Sequence, residues 1–163
     1  MKATVKIAAL TLSLIGTAAS AQAVRTEKNM SLELANQIAA ATVAACAANN
    51  YNVTAAVVDR AGTLRALQRG DNAGPHTVGA AQGKAFTSAS ARANTTAMLE
   101  NVQKNPGAQT LVDIPGFLVL GGGVPVRVGN EVIGAVGVGG APGGHLDEQC
   151  ANAGIAKVAD LLK

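Results

Sequence analysis

Aromatic and charged side chains are scarce in this 163-residue sequence. It has no tryptophan, one tyrosine and two phenylalanines, and charged residues make up 14% of the chain. Proteins that bind single-stranded nucleic acid stack the bases on aromatic rings along a basic groove. Since the sequence also lacks a run of lysines or arginines, its composition disfavours nucleic acid as a partner.

Histidine and cysteine each occur twice in the sequence. A structural zinc site normally takes four Cys or His ligands, so these side chains cannot complete one unaided. Two nucleotide-binding motifs also fail. Segment 137–142 misses the last glycine of GxGxxG, and segment 79–85 is one residue short of a P-loop. The sequence therefore points away from both zinc and nucleotide binding.

The first 23 residues have the organisation of a secretory signal peptide. Two lysines precede a short apolar run at 7–15, and small residues provide cleavage sites after Ala21 and Ala23. The apolar run is too short to cross a bilayer, and no later run approaches the length of a membrane span. We therefore expect an exported protein, periplasmic or secreted, with one domain over residues 24–163. Loss of the leader would lower the formal net charge of +3 by two.

Export bears on the two cysteines, Cys46 and Cys150. In an oxidising compartment they could form a disulfide, because both lie on predicted helices that we expect to pack on one sheet. The alternative is two buried thiols, which is how free cysteine usually behaves in a core. Pairing requires Cα atoms within about 7 Å, which the sequence does not show, so both states stay open.

The hydrophobic pattern predicts an α+β fold. A single antiparallel five-stranded sheet is expected, with the N- and C-terminal helices packed on it. The first predicted helix begins after Ser31. Three further helices are predicted at about 76–90, 94–103 and 145–162. The predicted strands form a hairpin and then a three-stranded meander: 53–58, 63–69, 117–120, 124–128 and 131–138.

Eleven of the nineteen glycines lie between Ile114 and Gly144, within and after this meander. Glycine inside a strand marks a place where something approaches the backbone closely. The approaching group is either a packed helix, or a bound ligand or partner subunit, and the pattern does not distinguish between them.

Three kinds of side chain or backbone group are candidates for a functional site. His76 and His145 begin predicted helices, where each is either a ligand residue or a solvated helix end. Gly143 and Gly144 open the last helix, so their N–H groups could receive a carboxylate unless Asp147 alone caps that helix. A further candidate is a lysine in the second helix.

That lysine, Lys84, is either a buried amine or a side chain that snorkels to solvent. The mature chain has no GxSxG motif and no evident Ser-His-Asp order, so nucleophilic serine chemistry is not indicated.

The chain as a whole resembles the GlcG/HbpS-like family, also called the haem-degrading or DUF336 domain. The resemblance covers essentially all of the predicted mature chain. It is carried by six segments that are specific together and weak singly: VVDRAG at 57–62, RGDNA at 69–73, GKAFTSA at 83–89, GGGVPV at 121–126, GAVGV at 134–138 and DEQCA at 147–151.

The resemblance implies an α+β fold, homo-oligomerisation and, in several members, haem binding. Haem iron needs one axial ligand, often a histidine. We therefore predict ligation by His76, with His145 as the alternative. The haem carboxylates would meet the N–H groups of Gly143 and Gly144 or the side chain of Arg69.

Other functions stay open at this stage. One is an enzyme that acts on a small organic acid, with Lys84 and Asp71 near its site. Another is an accessory protein of a sensor or transport system. Binding of a different small ligand is a third.

Overall fold

The computed structural model describes residues 23–163. The predicted leader lies outside the described residues except for Ala23, so cleavage and export stay predictions. Within the described range the helices are α1 Leu32–Ala47, α2 His76–Ala91, α3 Thr95–Lys104 and α4 Gly144–Lys157. The strands are β1 Thr54–Asp59, β2 Leu64–Arg69, β3 Gly123–Val128 and β4 Glu131–Gly139, and 3₁₀ turns cover Pro106–Asp113 and Ala159–Leu161. No helix in this range has the length and hydropathy needed to span a membrane.

The sheet has four strands in the order β2-β1-β4-β3, with every neighbouring pair antiparallel. The prediction of five strands is therefore wrong, because segment 117–120 does not join the sheet. Its backbone groups are satisfied by helix hydroxyls instead. The Leu118 N–H donates to Thr87 Oγ1 over 2.7 Å, and the Leu120 carbonyl accepts from Thr95 Oγ1 over 2.6 Å. With these partners the segment needs no strand ladder.

Helices cover both faces of the sheet, so the α+β class with terminal helices on the sheet is confirmed. The helices α1 and α4 pack together on one face, and α2 packs on the other. The larger hydrophobic cluster lies under α1 and α4 and includes fully buried Ile38, Val57 and Val136. Both central strands are buried nearly throughout, which leaves the sheet ends and helix starts to form a site.

The close approach of α2 to β4 explains part of the glycine pattern. A Cβ on Gly137 would overlap the carbonyl oxygen of Ala81 and the amide nitrogen of Ala85, both in α2. At this position the group that approaches the glycine is a packed helix, the first of the two alternatives. This close packing also holds the start of α2 near the end of β4, where the chain enters the loop before α4.

Cys46 in α1 and Cys150 in α4 form a disulfide, with Cα atoms 5.3 Å apart. This Cα separation is ordinary for a disulfide. The bridge joins residues 104 apart in sequence and fixes the middle of α4 to the end of α1.

Candidate functional site

A cavity of about 540 Å³ opens between the starts of α2 and α4. Its walls are the first turns of these two helices, the loop at 139–144 and the side chains Thr96, Leu99 and Leu120. This volume is within the range of small-molecule sites. The cavity brings together five of the predicted site residues: His76, Lys84, Gly143, Gly144 and His145.

The start of α2 places His76 at the rim. Thr77, the next residue, is buried and donates from its hydroxyl to the Gly74 carbonyl over 2.6 Å. The same hydroxyl is 2.7 Å from Thr54 Oγ1 in β1, so the first turn is anchored to the sheet. The His76 ring lies over Gly74, and a Cβ on that glycine would come within 2.7 Å of His76 Cε1. Glycine two residues before the histidine therefore makes room for the imidazole.

The start of α4 repeats this arrangement. The Gly143 carbonyl accepts from the N–H groups of Leu146 and Asp147, at 2.9 and 3.1 Å, which closes the first turn. The His145 ring lies over Gly143, and a Cβ there would come within 2.9 Å of its Cε1. Both histidines are exposed, and neither imidazole has a hydrogen-bond partner among residues 23–163. Both rings are thus available to a ligand at the cavity.

An ion pair between Lys84 and Asp147 lies at the floor of the cavity. Lys84 Nζ donates to Asp147 Oδ2 over 2.7 Å and to the Val138 carbonyl over 2.8 Å. Asp147 Oδ1 accepts from the Ala141 N–H over 3.0 Å. The two residues are 5% and 2% exposed, so Lys84 is the buried amine of the two alternatives and does not snorkel. The pair ties α2, β4, the 139–144 loop and α4 together.

Burial raises the pKa of Asp147 above its ordinary value of 3.8. The hydrogen bond and charge of Lys84 and the Ala141 N–H act in the opposite direction, but the loss of hydration outweighs them. The floor of the cavity therefore holds a carboxyl that retains a proton more readily than an exposed aspartate, beside an amine.

From the sequence, a helix cap was one of the alternatives for the start of α4, with Asp147 as the capping residue. In the structure α4 has no side-chain cap, and the Asp147 carboxylate instead contacts Lys84 and Ala141. A signal for this was present. A buried lysine is rarely stable without a partner of opposite charge, and the carboxylates at the start of α4 are candidates for that partner.

Two other predicted residues, Arg69 and Asp71, do not line the cavity. Arg69 ends the edge strand β2, and its guanidinium donates to the Ala73 carbonyl. Asp71 is exposed in the loop that follows. Within residues 23–163 no three His, Cys, Asp or Glu side chains are grouped to hold a metal ion.

Comparison with known proteins finds a family model whose matched range includes all the residues that line the cavity. The family model described as "Haem degrading protein HbpS-like" matches residues 30–156. Protein GlcG of Escherichia coli K12 is 40% identical over 114 residues, which is 70% of this chain and 84% of GlcG.

Two solved structures extend the comparison to three dimensions. A double mutant of Streptomyces reticuli HbpS superposes with a TM-score of 0.79 at 37% identity, over 96% of this chain and 99% of that one. The structure described as the PduOC:Heme complex superposes with a TM-score of 0.70 at 23% identity, over 78% of this chain and 94% of that one. At that identity the second likeness concerns the fold alone.

Proposed function

The chain belongs to the HbpS-like family, and we propose that it is an exported protein that binds haem in the cavity between α2 and α4. The observation that carries the proposal is the convergence of His76 and His145, distant in sequence, on one cavity of about 540 Å³. The description of the family as haem-degrading supports the choice of ligand.

The residues of the cavity suit haem. Ala80, Leu99 and Leu120 provide an apolar surface for a flat macrocycle. The imidazoles of His76 and His145 lie at the rim, where a neutral ring nitrogen is a common axial ligand. Bound haem iron would supply ligand binding and redox chemistry that these side chains lack.

Each candidate residue then has a defined role. His76 is the proposed axial ligand, and His145 is the alternative. The N–H groups of Gly143 and Gly144, at the positive end of the α4 dipole, are the proposed partners of the haem carboxylates. Arg69 is left out of this set, because it lies outside the cavity and its guanidinium is engaged by Ala73.

Hemin titration followed by absorbance tests the proposal. We expect a shifted Soret band for the wild type, and a weaker affinity with a changed spectrum for His76→Ala or, if the alternative holds, for His145→Ala. Gly74→Ala provides a finer probe, since its Cβ would displace the His76 ring without removing it. Arg69→Ala is the matched control and should titrate like the wild type.

The outcomes distinguish whether haem binds from whether a histidine ligates it. If the wild type binds no hemin, the proposed function is wrong. If both histidine variants bind with unchanged affinity and spectrum, histidine ligation is wrong even though haem binds. Export is tested separately by the intact mass of protein from its native host, and a full-length chain in the cytoplasm would contradict it.

We also propose that the protein forms a homo-oligomer. The composition is rich in alanine and poor in charge. In the structure α1 and α4 present a groove lined by alanines to the surface, among them Ala40, Ala44 and Ala153. Small side chains allow the close approach of a second copy of the same surface. Light scattering that shows a monomer at micromolar concentration would contradict the proposal.

A further inference from the structure

We propose that Lys84 forms an imine with a small aliphatic aldehyde that enters the cavity between α2 and α4. The proposal does not depend on haem. It concerns the ion pair at the cavity floor, which the haem proposal leaves without a chemical role.

Three observations about the amine carry the inference. Lys84 lines the cavity although only 5% of the residue is exposed, so its side chain is buried at the floor of a space that is open to a small ligand. Of its three N–H bonds, two are directed to Val138 and Asp147, and the described residues offer no acceptor for the third. A carboxylate oxygen lies 2.7 Å from the nitrogen, within reach for proton transfer.

Asp147 is placed to act as an adjacent base, which takes the proton of the lysine before attack and returns it afterwards. Asp147 is held in place by the Ala141 N–H, so its Oδ2 stays directed at Lys84. The first turn of α4 borders the same cavity with its N–H groups, which would favour negative charge that develops on a carbonyl oxygen.

The reaction balances without a further reactant. A proton passes from Lys84 Nζ to Asp147 Oδ2, and the amine attacks the aldehyde carbon to form a C–N bond. The carbonyl oxygen takes that proton and a second one from the nitrogen and leaves as water when the C–O bond breaks. The net change is ammonium plus aldehyde to protonated imine plus water. The positive charge stays beside Asp147, so the buried charge pair is preserved.

The walls of the cavity indicate the class of aldehyde. The apolar part of the cavity lining is Ala80, Leu99 and Leu120, together with glycine backbone. These groups suit a short alkyl chain. Among residues 23–163, Asp147 is the only carboxylate that lines the cavity, and it is already paired with Lys84.

Reductive trapping of the wild-type protein tests the proposal. The protein is incubated with butanal and sodium cyanoborohydride at neutral pH, and the butylated lysines are located by peptide mass mapping. The cavity would hold the alkyl chain with its carbonyl carbon beside Lys84, whereas exposed lysines meet the aldehyde only by collision. We therefore expect Lys84 to be labelled about tenfold faster than Lys104 or Lys163. In urea, where the cavity is lost, this preference should disappear.

A pair of variants controls for access. Ala80→Phe places an aromatic ring in the cavity and keeps both members of the ion pair, Lys84 and Asp147. It should abolish labelling of Lys84 while Lys104 reacts as before. Ala91→Phe makes the same change at an exposed position at the end of the same helix, and it should leave the wild-type pattern intact. If only exposed lysines are labelled in the folded wild type, the proposal is overturned. It is equally overturned if Ala80→Phe does not reduce the labelling of Lys84.

Discussion

Replacing Lys84 with methionine removes one partner of the buried ion pair and keeps most of the side-chain volume. The Asp147 carboxylate then loses its hydrogen bond of 2.7 Å and its counter-charge while it remains 2% exposed. Breaking a buried pair by removing one partner costs about 3–5 kcal/mol. Burial raises the pKa of Asp147, so the carboxyl can escape part of this cost by protonation. We therefore expect a loss of about 3 kcal/mol in the free energy of unfolding, near the lower end of that range.

The double variant Lys84→Met with Asp147→Leu measures the interaction energy between the two residues, separately from the effect of each substitution. Replacing both charges of a buried pair with apolar groups of similar size is often neutral or stabilising. The double variant should therefore unfold within about 1 kcal/mol of the wild type, although each single variant loses about 3. Independent sites add to within about 0.5 kcal/mol, so such a result would establish direct coupling.

Urea denaturation at fixed protein concentration measures these differences. The concentration is held constant because assembly would contribute to the apparent stability. Lys104→Met is the matched control, since Lys104 pairs with Glu100 at 3.3 Å but its side chain is 74% exposed. An exposed pair of this kind contributes at most about 0.5 kcal/mol. A stabilising role of the buried pair is refuted if Lys84→Met destabilises no more than this control, or if the effects of the two single variants simply add.

Three further predictions follow from the structure. The Cys46–Cys150 bridge closes a loop of about 100 residues, so its reduction should cost about 4–5 kcal/mol by chain entropy, and titration of two free thiols in denatured, unreduced protein would disprove the bridge. Gly79→Ala, in α2 with open space around its Cβ, should stabilise the protein by about 0.5–1 kcal/mol. Gly137→Ala, in contrast, should prevent native packing of α2. Equal thermal melting of the two variants would contradict this pair of predictions. Because burial raises the pKa of Asp147 above 3.8, the folded state keeps that proton to higher pH than the unfolded state does. The contribution of Asp147 to stability should therefore be largest below pH 3.8 and decline as pH rises through the raised value. If the wild type becomes increasingly more stable than Asp147→Asn as pH rises, this prediction is refuted.

Local sequence determined most of the secondary structure. The predicted helix after Ser31 agrees with α1, where the Ser31 hydroxyl accepts from the Leu34 N–H. The strands predicted at 124–128 and 131–138 agree with β3 and β4. These features depend on periodicity, capping and turn residues that act within a few positions, so they can be identified without the fold. The same local pattern failed at 117–120, where an apolar run typical of a strand is held by Thr87 and Thr95 instead.

The candidate site was also predictable from the sequence only in part. The types of residue and their positions at helix starts were visible in the sequence, and these indicated His76, His145, Gly143 and Gly144. Only the tertiary structure decided that both histidines border one cavity, since this depends on how closely α2 packs on β4.

Tertiary structure alone also excluded Arg69 from the cavity and assigned Asp147 as the partner of Lys84. A helix or a turn is favoured by neighbours in the chain, whereas a charge pair between α2 and α4 depends on groups 63 residues apart. Its stability comes from burial, and the pattern of the sequence does not show which polar groups will be buried together.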